Sequence, residues 1–180
     1  GVQPYEKGDY MLETEQKEEM PPMVKNYMGD IINLCKQNGA KLLLLGTPSP
    51  LNYNYRRHNS IDAYAKEHNL EYLDMNMKLK EVGIDWNTDS LDKGDHLNLS
   101  GARKVTQYLG GFLTKKYVLP DHRGESDYTA WMKEAEDYTR KLEKSLKVMR
   151  DNENKTNRKL EKVDNSDISA CMSGLLRVAV

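Results

Sequence analysis

Several residue types that often reveal a protein's class are scarce in this chain. Its 180 residues include two cysteines, Cys35 and Cys171, and the formal net charge is −1. Two cysteines so far apart do not form a disulfide framework, and no paired spacing of ligands indicates zinc or another metal. A nearly neutral chain has no overall field that favours nucleic acid. We therefore expect no metal, no cofactor and no nucleic-acid partner.

Long hydrophobic runs are also missing. No apolar segment approaches the length of a membrane span, and no signal peptide is evident. Cys35 lies on the apolar face of a predicted helix, where we expect a buried free thiol.

Polarity is distributed unevenly along the chain. Hydrophobic residues make up 38 % and charged residues 31 %, but residues 24–118 alternate apolar and polar segments, whereas residues 133–167 are almost all polar. This pattern indicates four parts: an irregular lead-in (1–22), a globular α/β region (23–123), a long polar or amphipathic helix (124–163) and an unassigned tail (164–180).

Hydrophobic periodicity predicts the elements of the globular region. Apolar residues at helical spacing run from Val24 to Cys35, and Gly39 stops that helix. Two short apolar runs predict strands, and two further periodic stretches predict helices. These elements are a strand at 41–45, a helix at 59–68, a strand at 70–74, and a helix at 100–113 with Ala102, Val105, Leu109 and Phe112 facing inward.

Strands that alternate with helices favour a parallel α/β sheet. The four leucines Leu42–Leu45 are typical of a strand that is buried on both faces. Only two strands are convincing, whereas an open sheet of this class usually has about four to six. We therefore expect an incomplete sheet.

A long helix is predicted from Ser126. Its apolar residues fall near heptad spacing, at Trp131, Ala135, Tyr138, Leu142 and Met149. This stripe suits either self-association through residues 126–150 or a surface helix that packs on its own domain.

The segment around His96 carries the clearest chemical signal. The run Leu91-Asp92-Lys93-Gly94-Asp95-His96-Leu97-Asn98 leads into a helix that also contains Gly101. A carboxylate beside a histidine fixes its tautomer and stabilises the imidazolium. Asn98 is placed to cap the helix, and Gly101 permits close approach of the backbone. A solvated loop with a capping asparagine is the alternative explanation.

These residues resemble a known family. The pattern Asp-x-x-x-His-x-Asn-x-x-Gly is similar to the last conserved block of the SGNH/GDSL hydrolases, usually Asp-x-x-His-Pro-Asn-x-x-Gly. The likeness extends over residues 31–117 and into the Leu-Pro-Asp-His-Arg stretch at 119–123, followed by Tyr128 and Trp131. It covers the C-terminal half of a bacterial SGNH hydrolase-like protein.

The resemblance implies a flavodoxin-like three-layer α/β/α fold and ester hydrolysis or acyl transfer through a serine acyl-enzyme. His96 would be the general base, and an acylated small molecule or glycan would be the substrate. The family's aspartate stands three residues before the histidine, where this chain has Lys93. Asp92 and Asp95 are both candidates, and we favour Asp92 because an adjacent residue rarely folds back onto its neighbour's ring. The same resemblance implies an extracytoplasmic parent protein, either free or anchored to a membrane.

The family's nucleophile block has no counterpart in this chain. Gly8-Asp9-Tyr10 carries tyrosine where serine is required, and Ser49 lies between two prolines rather than on a strand-turn-helix elbow. We therefore expect the serine and the oxyanion hole to lie in sequence before Gly1, and the isolated chain to be inactive. A non-catalytic module that self-associates through its C-terminal helix is the alternative.

The other candidate residues carry weaker signals. We expect His58 to serve as a surface or capping residue, His68 to end a helix and His122 to join a surface ion-pair cluster. The loop with Tyr53, Tyr55, Arg56 and Arg57 either borders a substrate cleft or is simply exposed.

Overall fold

A computed structural model describes residues 1–145 and 147. The chain divides into two compact units, the first spanning Gly1–Leu119 and the second beginning at Pro120. Met149, Cys171 and the unassigned tail at 164–180 lie outside the described residues.

The first unit contains four α-helices and two strands. In chain order they are α1 (Pro22–Gln37), β1 (Leu43–Gly46), α2 (Tyr55–Glu67), β2 (Glu71–Asp74), a 3₁₀ turn (Met75–Lys78), α3 (Leu79–Val82) and α4 (Leu99–Lys116). Helix α2 begins one turn earlier than its periodicity predicts because Asn54, and not a later residue, caps it by accepting a hydrogen bond from the Arg57 amide.

The two strands are parallel and pair over four residues, from Leu43 opposite Glu71 to Gly46 opposite Asp74. The expected mixed α/β character and the parallel pairing are therefore confirmed. The expectation that β1 is buried on both faces is wrong, because Leu44 is buried whereas Leu45 is exposed. Among the described residues, β1 pairs with β2 alone, so nothing covers Leu45.

The core lies where α3 and α4 meet the sheet. Leu73, Met75, Val82 and Val105 are buried together, and Leu109 and Phe112 pack against them. The predicted inward position of Ala102 is wrong: Ala102 is exposed, and Tyr108 contacts the core instead. The inward face of α4 is therefore rotated relative to the prediction.

Helix α1 is less buried than its periodicity suggests. Ile32 is its only buried residue, and Cys35 is half-buried with a free thiol. Tyr27, Ile31 and Leu34 are exposed although they belong to the predicted apolar set. The helix therefore exposes a second apolar stripe beside its covered one.

The lead-in has no helix or strand before Pro22, as expected, but it is anchored to the domain. The amide of Gln3 donates to the Ser90 carbonyl oxygen at 3.1 Å, and the amide of Tyr5 donates to the Trp86 carbonyl oxygen at 3.2 Å. The rings of Tyr5, Tyr10 and Trp86 meet edge to face. The lead-in therefore holds the loop that precedes His96.

The second unit contains a 3₁₀ turn (Ser126–Tyr128), followed by helix α5 at 129–145. Trp131 and Tyr138 are exposed on α5. Among residues 1–145 and 147, no helix has the length and apolar content needed to cross a bilayer.

Candidate functional site

His96 lies on a tight hairpin between α3 and α4. Ser90 and Leu97 form an isolated antiparallel bridge, and the Leu91 amide donates to the His96 carbonyl oxygen at 2.9 Å. Between these residues, Lys93 and Gly94 have φ angles of 62° and 98°. The left-handed region is unusual for a lysine, and these two residues reverse the chain so that His96 faces Asp92.

Asp92 holds His96 at two points. Its Oδ1 accepts from the His96 backbone amide at 2.6 Å, and its Oδ2 lies 2.7 Å from Nδ1 of the imidazole. A carboxylate only accepts, so Nδ1 carries the proton and Nε2 is the free nitrogen. One side chain therefore fixes both the backbone and the tautomer of His96.

Asp95 is engaged elsewhere. Its Oδ2 lies 3.5 Å from Nδ1 of His96, while its Oδ1 accepts from the Asn52 side-chain amide. Its backbone carbonyl oxygen accepts from the Ser49 hydroxyl at 3.0 Å. The structure thus places Asp92 against the imidazole and ties Asp95 to the loop that follows β1.

The two carboxylates polarise the imidazole. The hydrogen bond to Asp92 and the charges of Asp95 and Asp92 raise the pKa of His96 above its ordinary value. The same hydrogen bonds from His96 lower the pKa of Asp92. The pair is open to solvent, with 68 % of the His96 side chain and 37 % of the Asp92 side chain exposed.

The N-terminus of α4 is hydrogen-bonded to the segment that leads into the His96 hairpin. Asn98 caps the helix by accepting from the amides of Ser100 at 2.9 Å and Gly101 at 3.2 Å, and its side-chain amide donates to the Thr88 carbonyl oxygen at 2.7 Å. A Cβ at Gly101 would lie 2.8 Å from the Asp89 carbonyl oxygen. Only glycine permits this close approach.

Asp89, which is fully buried, adds contacts between this segment and α4. Burial disfavours its charge, but hydrogen bonds from the Asp85 amide at 2.8 Å and the Lys104 ammonium at 2.6 Å outweigh burial and lower the pKa of Asp89. No pattern in the sequence pointed to this ion pair between a buried carboxylate and a partly exposed lysine.

No serine among the described residues makes a hydrogen bond to His96. The Ser49 hydroxyl donates to the Asp95 carbonyl oxygen and accepts from the Asn52 side chain at 3.1 Å, so it is committed to loop structure. Ser100 lies in the first turn of α4.

The carboxylates and the imidazole of this hairpin are also groups that bind cations. Asp92, Asp95 and His96 each offer an atom, and these atoms lie within 4.8 Å of one another. Nδ1 of His96 is already bonded to Asp92, and the cluster is solvent-exposed. The absence of a metal remains an expectation from the sequence.

A second histidine–carboxylate pair lies at the carboxyl end of β2. Nδ1 of His58, in the first turn of α2, lies 2.7 Å from Oδ2 of Asp74, the last residue of the strand. The side chains are only 19 % and 2 % exposed, respectively. The prediction that His58 is a surface or capping residue is therefore wrong, because its ring reaches inward to a buried carboxylate.

Asp74 accepts four hydrogen bonds. Besides His58, the Tyr72 hydroxyl donates to Oδ2 at 2.9 Å, and the backbone and side-chain amides of Asn76 donate to Oδ1 at 2.9 and 2.8 Å. The sequence carried one signal for this site: Asp74 is the last residue of a predicted strand, and polar groups gather at the carboxyl ends of parallel strands.

The remaining histidines follow their sequence expectations. His68 is the C-terminal cap of α2, and the ring of His122 lies 3.0 Å from a Glu125 carboxylate oxygen beside the Arg123–Asp121 ion pair. In the aromatic loop, Tyr53 and Arg57 line a groove that the His96 site residues do not border, so the choice between a substrate-cleft border and an exposed loop stays open.

Comparison of the chain with protein-family models, curated proteins and solved structures finds no match.

Proposed function

We propose that this chain supplies the histidine–carboxylate half of an SGNH-type serine esterase or acyltransferase. The observation that supports the proposal most strongly is the double hydrogen bond from His96 to Asp92, which fixes the ring with Nε2 free and solvent-exposed. The finer fold belongs to the same proposal: a flavodoxin-like three-layer α/β/α domain whose remaining strands, serine and oxyanion hole precede Gly1.

The chemistry uses the two nitrogens of His96 in different ways. Nε2 accepts the proton of the serine hydroxyl as the serine oxygen attacks the ester carbonyl carbon. Asp92 stabilises the resulting imidazolium through Nδ1–H. The imidazolium then protonates the departing alkoxide, and an acyl-enzyme remains for attack by water or by another alcohol. The substrate class is an acylated small molecule or glycan, and the parent protein is extracytoplasmic, either free or anchored to a membrane.

The raised pKa of His96 has a consequence for such an enzyme. A general base must be neutral, so the activity of the parent enzyme should rise with pH at values above those of an unperturbed histidine. Asp92→Asn should move that rise to lower pH and depress turnover. Asp95→Asn should change both less, because Asp95 is the more distant carboxylate.

The isolated chain provides the direct test. Without a nucleophile it should hydrolyse short-chain aryl esters no faster than an equal concentration of free imidazole, and a serine-directed phosphonate should not label it. The matched control is His96→Ala, which should behave identically. Phosphonate labelling of the wild type, together with turnover that His96→Ala abolishes, would place a working serine within these residues and overturn the proposal.

A non-catalytic module that self-associates through its C-terminal helix is the second candidate. The exposed Trp131 and Tyr138 on α5 favour it. Sedimentation of the full chain and of a Trp131→Ser, Tyr138→Ser double variant tests this role. Self-association that disappears in the variant supports it, and a wild-type monomer removes it.

A further inference from the structure

A groove of 510 Å³ lies beside β1, apart from His96 and its carboxylates. Its apolar walls come from three elements: Val24 and Met28 of α1, Leu44 of β1, and Ile61 of α2. This volume lies within the range typical of sites for small organic ligands, about 300–1,000 Å³. The walls are therefore suited to an aliphatic chain.

Tyr53 and Tyr72 also line the groove, and their hydroxyls form a hydrogen-bonded chain that ends at Asp74. The Tyr72 hydroxyl has one proton, which it donates to Asp74. Tyr53, whose hydroxyl meets that of Tyr72, must therefore donate to the Tyr72 oxygen. Burial raises the pKa of both phenols, which keeps both protons in place. Tyr53 consequently has only lone pairs to offer a ligand.

The charges on the lining disfavour an anionic ligand. Arg57 is neutralised by Glu18, whose Oε1 lies 2.6 Å from Nη2 of the guanidinium, and Glu19 adds an unbalanced negative charge. The lining therefore has a net charge of −1, counting Glu18, Glu19 and Arg57. A carboxylate or phosphate head group would meet both this charge and the lone pairs of Tyr53.

We propose that this groove binds a neutral aliphatic alcohol, with its chain against Val24, Met28 and Ile61 and its hydroxyl donating to the Tyr53 oxygen. The head group must donate a hydrogen bond, because Tyr53 can only accept. The proposal is independent of ester chemistry at His96, since none of the His96 site residues line the groove.

The test compares three probes of equal chain length on the full chain: 1-octanol, its methyl ether and octanoate. Binding is followed by titration calorimetry and by the amide NMR shifts of Leu44, Gly46 and Ile61. The alcohol should bind and shift these amides. The ether cannot donate a hydrogen bond and should bind about five- to tenfold more weakly. Octanoate should bind more weakly than the ether.

Two variants complete the test. Tyr53→Phe should reduce alcohol affinity to that of the ether, while leaving ether affinity unchanged. Met28→Trp fills the groove and should abolish binding of both, whereas Met23→Trp, at an exposed position on the same helix, should not. Equal binding of all three probes, or insensitivity to Met28→Trp, would overturn the proposal. So would a wild-type dimer that Met28→Trp dissociates, since the groove would then be a contact between copies.

Discussion

His96–Asp92 and His58–Asp74 place a histidine Nδ1 at the same distance, 2.7 Å, from a carboxylate oxygen, yet they differ in everything around that bond. His96 and Asp92 lie four residues apart on one hairpin, and both are substantially exposed. His58 and Asp74 lie on different elements, and both side chains are largely shielded from solvent. An identical bond length therefore marks two different roles.

The environment separates the two roles. At the exposed pair, water competes with each partner, so the bond mainly orients the ring and adds little to stability. At the buried pair, Asp74 satisfies four donors whose loss would leave polar groups without partners. We infer that His58–Asp74 joins α2 to the end of β2, whereas the exposed His96–Asp92 pair is the one to which our proposal assigns chemistry.

The largest expected effect comes from removing one carboxylate from each pair. Asp74→Ala should lower the free energy of unfolding by about 3 kcal/mol, because buried donors lose their acceptor. Asp92→Ala should leave the urea midpoint unchanged within error. Equilibrium urea unfolding of the two variants beside the wild type measures both.

A variant that keeps an acceptor provides the control for Asp74. Asp74→Asn should fall between wild type and Asp74→Ala, and it serves as the comparison if Asp74→Ala does not fold. Equal midpoints for the Asp74 and Asp92 variants would contradict the distinction between the two pairs.

A smaller effect on stability tests whether the backbone next to the His96–Asp92 hairpin is rigid. Gly101→Ala should cost about 2 kcal/mol, because the new Cβ would lie 2.8 Å from the Asp89 carbonyl oxygen. Gly110→Ala, on the same helix with no atom within 4 Å, should be neutral or stabilising by up to about 1 kcal/mol. Thermal unfolding distinguishes the two variants. Equal melting temperatures would show that the close contact between Gly101 and the Asp89 backbone adjusts at little cost.

Features set by local sequence were largely predictable. Periodicity and Gly or Pro boundaries located α1, α2, α4 and both strands to within a few residues, but they did not predict the short helix α3. The Asn98 cap followed from its position before an apolar stretch. Asp92 could be preferred over Asp95 because an adjacent residue rarely folds back onto its neighbour's ring, although the Asp95 carboxylate does come within 3.5 Å of Nδ1. The left-handed conformation of Lys93, which lets Asp92 face His96, could not be predicted from residue spacing.

Features set by distant contacts were not predictable in the same way. His58 and Asp74 are sixteen residues apart, and only the crossing of α2 over β2 brings them together. The exposure of Leu45 depends on which strands pair beside it, whereas the residue itself is typical of a buried strand. The exposure of Ala102 likewise reflects a rotation of α4 that periodicity fixes only coarsely.

The smallest change, the loss of one proton-linked hydrogen bond, tests the central claim that Asp92 positions His96. The measurement is an NMR titration of the four histidine rings in wild type, Asp92→Asn and Asp95→Asn, with unfolding checked separately. We predict that His96 titrates above its ordinary pKa, that Asp92→Asn lowers this pKa clearly, and that Asp95→Asn lowers it less. A larger decrease in Asp95→Asn than in Asp92→Asn would contradict the account.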